Sequence, residues 1–215
     1  ISYSQYSMWA QCPHRWKTAY IDGHREFSDN IHTLFGTSMH EVIQTFLTVM
    51  YNDTAKMAEA LPLEDMLLTR MKRNFESVLE TNGGEMFCTE KDMVEFYQHG
   101  VEILKFIRKK RAQYFSKKGY ELIGIEVPLN YDLPNNVKFV GYIDIVIRDT
   151  VRDVIKIYDI KTSTMGWNKW MKADKNKTDQ LLLYKQFYSK QFNHPMDKIE
   201  VEYFIVKRKL YENLD

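Results

Sequence analysis

"GYIDIVIRDTVRDVIKIYDIKTST", Gly141 to Thr164, decides how this chain is read. Two apolar, β-branched runs flank a polar turn, so the stretch predicts a hairpin closing around Thr150 to Arg152. Each strand carries one acid, Asp144 in the first and Asp159 in the second, and Lys161 follows two residues later. Side chains on a strand alternate with period two, which puts Lys161 on the face of Asp159. Two carboxylates in adjacent strands repel when both are ionised, and one pKa rises strongly unless a cation lies between them. A hard divalent metal suited to oxygen ligands, Mg²⁺ or Mn²⁺, resolves that conflict. A metal with a lysine beside it suits phosphodiester hydrolysis, because charge develops on the phosphate oxygens as water attacks.

An isolated D-x-K is weak, since many strand ends carry such a pair as a solvated ion pair. Context strengthens this one: both acids interrupt apolar runs expected to be buried, where an acid without partners is expensive.

Working outward, "YELIGIEVPLNYDL" and "VKFVGYIDIVIRD" read as strands joined by "PNN", and with "DVIKIYDIKTS" they form three sequential strands, an antiparallel meander. A polar, lysine-rich loop leads to the helix "DQLLLYKQFYSKQF" and a final strand, "IEVEYFIVKRK". Upstream the chain is helical. "SYSQYSMWAQCPHRWKTAY" has Ser4 as a helix cap and Tyr6, Trp9 and Trp16 as core-facing residues, with Pro13 opening a new first turn. "FGTSMHEVIQTFLTVMY" predicts a helix from Thr37 or Ser38 with Met39, Val42, Ile43 and Phe46 on its buried face. "LPLEDMLLTRMKRNFESVLE" is a helix closed by Asn82-Gly83-Gly84, and a long one from Glu90 ends at Gly119. The expected class is α/β (α+β): one domain over 1–215, with a helical part over 1–119 and a βββαβ core over 120–215 forming a central mixed sheet flanked by helices.

Net charge is +1 over 215 residues, so a nucleic-acid partner would be held by local patches and not by a global basic field. Cys12 and Cys88 lie far apart without CxxC, which implies reduced thiols and neither a disulfide framework nor a cysteine metal site. No stretch is apolar enough for a membrane span, and "ISYSQYSMW" lacks the regions of a signal peptide. A cytoplasmic protein is expected (host-cell cytoplasm for a viral one), with the mitochondrial matrix left open.

Gly141-x-x-Asp144, Asp159-Ile160-Lys161-Thr162 and Gln180-x-x-x-Tyr184 together resemble the PD-(D/E)xK nuclease superfamily, whose core is restriction-endonuclease-like. More narrowly they resemble its RecB-like exonuclease branch, which includes phage exonucleases and the mitochondrial genome maintenance exonuclease. "YSQYSMWAQCPHRWKTAY" resembles that branch's N-terminal helix and "FGTSMHEVI" its Gly-x-x-x-His helix, in the right order. The resemblance implies Asp144 and Asp159 as catalytic metal ligands, the Ile160 carbonyl as a further ligand, Lys161 as the catalytic lysine and His40 as a ligand from the N-terminal helix. Gln180 and Tyr184 share a helix face; the resemblance implies that they contact the scissile strand or orient Lys161. Glu126 is a further acid near the site or a cap of the sheet edge. Thr162 and Ser163 donate to a phosphate or simply end the strand. Some members hold a [4Fe–4S] cluster on four cysteines. Two cysteines cannot supply four thiolates, so no cluster is expected and Cys12 is read as a packed thiol.

Basic residues gather locally, at Arg108 to Arg111 with Lys117 and Lys118, and at Lys207 to Lys209. Such runs are usually solvated faces. The segment between Lys161 and Gln180 differs, because Trp167 and Trp170 interleave with Lys169 and Lys172, the pairing of stacking platforms with cations that holds single strands. The expected function is a Mg²⁺- or Mn²⁺-dependent deoxyribonuclease, an exonuclease acting on DNA ends in recombination, repair or replication. The alternatives are a structure-specific endonuclease of the same fold and a non-catalytic nucleic-acid-binding module.

Overall fold

In the computed structural model, which describes residues 1–24 and 29–208, the hairpin is present. Strand β2 (Val137–Asp149) pairs antiparallel with β3 (Val154–Ser163), Ile145 opposite Tyr158 and Asp149 opposite Val154. The turn is held from within, since the Asp149 carboxylate accepts from the backbone N–H groups of Val151 and Arg152, each at 3.0 Å. Strand β1 (Tyr120–Leu133) precedes β2 through a turn in which Asn135 and Asn136 take φ of 62° and 58°, the left-handed geometry that matches hairpin twist and that asparagine tolerates. With β4 (Ile199–Lys207) these strands form a four-stranded mixed sheet in the order β1-β2-β3-β4, flanked by helices in a restriction-endonuclease-like fold.

The described residues fall into two compact units. The first takes those of 1–27, 123–159 and 168–202, and the second those of 28–122, 160–167 and 203–208.

In the first unit α8 (Lys175–Phe192) buries Gln180, Leu181, Tyr184, Phe187 and Tyr188, a stripe at helical spacing. That stripe packs on Leu129, Phe139, Ile143, Val146, Ile155, Ile157 and Ile199 from the strands, with Phe139 and Phe187 stacked at 4.1 Å between centroids. Ahead of α8 the lysine-rich segment is not all loop, for Lys169–Lys172 forms a short helix, α7, capped by Asn168. Helices α1 (Tyr3–Gln11) and α2 (Pro13–Tyr20) meet at Cys12. Three expectations fail here. The cap of α1 is Ser2 and not Ser4; neither helix buries a residue, with Tyr6 and Trp9 exposed and Trp16 only partly covered; and Cys12 is exposed, its sulfur capping α2 instead of packing in a core. Polar ends explain the first helix's attachment: the Tyr3 hydroxyl donates to the Asn176 carbonyl and the Tyr6 hydroxyl to Asp179 at 3.3 Å, so these aromatics dock by their hydroxyls on α8.

The second unit is built on α3 (Ile31–Asn52), which begins six or seven residues earlier than the reading from Thr37 or Ser38. A capping box of Asn30 and Thr33 starts the helix and satisfies its first N–H groups. Leu34, Phe35, Met39, Val42, Ile43, Phe46, Leu47 and Met50 are buried, and pack with Leu63, Leu67 and Met71 of α5 (Leu63–Thr81) and Phe96, Ile103, Leu104 and Ile107 of α6 (Glu90–Tyr114). Between α3 and α5 lies the short α4 (Ala55–Glu59), not foreseen from sequence. Gly100 lets α6 approach closely: a Cβ there would fall 2.4 Å from Leu67 Cδ2 and 3.1 Å from Phe35 Cε2. Helix α6 stops at Tyr114, short of Gly119.

The basic runs are less free than expected. Arg108 donates to the Leu61 carbonyl at 2.8 Å and pairs with Glu64, and Arg111 pairs with Glu59 at 2.9 Å, so both brace α6 against α4 and α5. Arg208 is buried at 8% exposure instead of solvated, while Lys209 lies outside the described residues. Among the described residues no helix is long and apolar enough to cross a membrane.

Candidate active site

The register pairs Ile145 with Tyr158, and Asp144 and Asp159 are the next residue on each strand, so one further step of the same register would set them opposite each other. Directly opposed residues of an antiparallel pair share a face, with Cβ atoms about 4.5–5.5 Å apart. Asp159 is 2% exposed and Asp144 partly buried. A carboxylate so enclosed needs hydrogen bonds. Gln180 supplies one: its Nε2 donates to Asp159 Oδ1 at 2.9 Å and to the Tyr184 hydroxyl at 3.1 Å. Of the i, i+4 pair on α8, Gln180 therefore bonds Asp159 directly and Tyr184 bonds Gln180.

Tyr184 reports the electrostatics of this place. Burial pushes its phenol up from the ordinary 10.0 to about 12; the negative fields of Asp159, Asp144 and Glu126 add to the effect and the Gln180 hydrogen bond opposes it. Three acids thus reach one tyrosine. Glu126 is exposed on β1 with φ of 49°, and the inside–outside alternation of β1 slips by one just before it. This is the behaviour of a bulge, which re-aims a side chain. Tyr184 lies against Gly141, where an added Cβ would meet Tyr184 Cε1 at 3.4 Å, which gives Gly141 of the Gly-x-x-Asp run a packing reason. Sequence reasoning missed Tyr3, whose phenol is raised by burial first and also by Asp179, Asp174 and Asp159. No motif marks it, because only the docking of α1 on α8 brings it there.

Lys161, His40, Ile160, Thr162, Ser163 and Trp167 belong to the second unit. Lys161 follows Asp159 by two residues on the one strand, its Nζ 5.9 Å from the centre of the Tyr203 ring. Ile160 is fully buried, which anchors the backbone between Asp159 and Lys161. On α3, Gly36 comes so near β3 that a Cβ would sit 3.1 Å from Thr162 Oγ1. His40 is four residues on, partly buried, so the helix face carrying it is the one that meets β3. That close approach is the physical content of the Gly-x-x-x-His spacing. Trp167 is packed edge-on against Tyr203 at 4.7 Å, whereas Trp170 on α7, in the first unit, is 81% exposed, with Lys169 and Lys172 exposed beside it.

Among the described residues no three His, Cys, Asp or Glu side chains are gathered as a ready metal cage. The two carboxylates, one of them buried and held by an amide, are hard oxygen donors of the kind that suits a divalent cation.

The family profile of the PD-(D/E)XK nuclease superfamily matches residues 1–214, and the chain belongs to that superfamily. Its members are nucleases, hydrolases of nucleic acid that generally depend on a divalent metal. No curated protein matches the chain at a significant level.

Proposed function

We propose that residues 1–215 act as one nuclease domain of the RecB-like exonuclease branch, a Mg²⁺- or Mn²⁺-dependent deoxyribonuclease that degrades DNA from its ends in recombination, repair or replication, in the cytoplasm. The observation that carries this reading is Asp159, buried and bonded by Gln180, with Lys161 two residues along the strand and Asp144 one residue beyond the last pair of the hairpin register. Asp144 and Asp159 hold the cation, with His40 and the Ile160 carbonyl as the further ligands implied by the resemblance. The cation, when bound, supplies Lewis-acid activation and neutralises phosphate charge. Gln180 fixes the carboxylate plane of Asp159. Lys161 orients the attacking water and stabilises charge that grows on the phosphate in the transition state. Tyr184, with its phenol pushed up to about 12, stays protonated near neutral pH and acts as a hydrogen-bonding group, not a base. Trp167, Lys169, Trp170 and Lys172 track the DNA strand.

Digestion of end-labelled linear DNA and covalently closed circles, with Mn²⁺ or with EDTA, tests the reading. Linear DNA should shorten progressively and circles survive. Rapid cutting of circles would replace the exonuclease with an endonuclease. DNA retained in EDTA and uncut in Mn²⁺ would leave only a binding module.

A further inference from the structure

In the second unit a pocket with about 240 Å³ of empty space, part of it open to solvent, is lined by Thr162, Ser163 and Thr164 from the end of β3, His32 from the first turn of α3, Phe96 from α6, and Arg208, which follows β4. Arg208 is an unusual wall. Its side chain is 8% exposed and its guanidinium lies 4.0 Å over the Phe96 ring. Its backbone N–H donates to the Ser163 carbonyl at 2.8 Å, which locks the chain after β4 to the end of β3. Among the described residues, hydrogen-bonding groups meet the guanidinium at one nitrogen only. Nη1 donates to Glu95 Oε1 and lies against His99 Nδ1, both at 3.1 Å. Among the described residues Nε is buried without a hydrogen-bond partner, and none is formed by Nη2.

A guanidinium presents five N–H donors in a rigid fork, and the Nε–Nη2 edge is the pair that meets two oxygens of a phosphate side by side. That edge is the one left over. Near it stand hydroxyl donors: Thr162 and Thr164 make no hydrogen bond from their side chains among the described residues, and Ser163 donates only a long 3.3 Å bond to the Gly166 carbonyl. Glu95 already offsets the arginine's charge, so the pocket is rich in donors but near neutrality. A singly charged phosphodiester suits such a place, whereas a dianionic terminal phosphate would be dehydrated there against too little positive charge.

We infer that this pocket holds a phosphodiester of the DNA strand, next to the phosphate served by Lys161; the inference rests on the nuclease reading above. Ser163 and Thr164 stand two and three residues beyond Lys161, about 7–10 Å along extended chain, the scale of a neighbouring nucleotide.

The test uses short single-stranded DNA in which one phosphodiester at a time is replaced by a neutral methylphosphonate. Binding is followed by anisotropy with Ca²⁺ in place of Mg²⁺, for the wild type, Arg208→Gln and Thr164→Val. Thr164→Val is included because it leaves the Glu95 pair and the packing on Phe96 intact. In the wild type one neutral linkage near the cleaved bond should weaken binding about 10-fold, the loss of a charge-assisted pair. Arg208→Gln should be indifferent to that linkage, and Thr164→Val should show a smaller loss at the same one. Identical linkage profiles in all three proteins, with DNA still bound and cut, would overturn the pocket and spare the nuclease. Discrimination by Arg208 between 5′-phosphorylated and 5′-hydroxyl strands, with no response to internal linkages, would overturn the diester assignment. A wild type that neither binds nor cuts DNA would remove both readings.

Discussion

Strand β3 passes from one chemistry to another within three residues. Around Asp159, in the first unit, three acids, Asp144, Asp159 and Glu126, all bear on Tyr184, and the amide of Gln180 bonds Asp159. From Lys161 onward, in the second unit, the polar groups are a lysine, three hydroxyl residues and a buried arginine. In the proposed reading the first set would serve a cation and the second a phosphodiester. The contrast teaches that burial fixes one member of each set: Asp159 is enclosed and bonded by Gln180 of α8, while the Arg208 guanidinium is enclosed against Phe96.

The sharpest way to break this contrast is to remove one residue from each side. Asp159→Ala should lower hydrolysis by about 10³ or more, beyond the loss of one transition-state donor, and calorimetry should show Mn²⁺ affinity collapse. Lys161→Ala should lower kcat by about 10² and leave Mn²⁺ affinity unchanged. Equal loss of Mn²⁺ affinity in both variants would mean that the division at β3 has no chemical meaning.

Trp170→Ala should weaken single-strand binding by about 1–3 kcal/mol, the worth of one stacked base. Because Trp167 is already packed on Tyr203, its alanine variant should report on that packing first, as a drop in melting temperature. Reversed behaviour would move the stacking platform to Trp167.

Asp159 is enclosed with a second acid, Asp144, bearing on the same tyrosine, and two nearby carboxylates repel when both are ionised. Asp159→Asn keeps an oxygen for Gln180 and removes the charge. In EDTA it should raise stability by about 1 kcal/mol, some 2–4 °C in melting temperature for a chain of this size, while abolishing hydrolysis. A lower melting temperature would show that the charge is compensated within the fold.

The smallest effect is alkaline. Between pH 10.0 and about 12 the unfolded chain has lost the Tyr184 proton and the folded chain retains it. Stability therefore falls as pH rises through that window. Urea unfolding across it should give a shallower slope for Tyr184→Phe than for the wild type. An unchanged slope would mean that the phenol titrates alike in both states.

Much of the fold was legible, and the reasons are local. The bounds of β1 and β2 follow the sequence reading, and β3 differs by one residue, because alternation, the "PNN" turn and the Asp149 turn are short-range codes. The opposed acids follow from the same hairpin. The buried face of α3 was readable from its period, but its start was not. The helix in fact runs through Gly36, where β3 comes so close that any side chain would press on Thr162.

What the sequence by itself determined is the hairpin, its two acids and its lysine, since a two-residue period and a short turn leave little freedom in which side chains face together. Tertiary structure alone decided which polar groups meet across long separations. It turned Gln180 onto Asp159, brought Tyr3 into the field of the acids, left Tyr6 and Trp9 outside the core, and buried Arg208 from a run that reads as solvated. Burial is a property of two surfaces meeting. A charge pattern along one segment carries no information about the surface that will cover it.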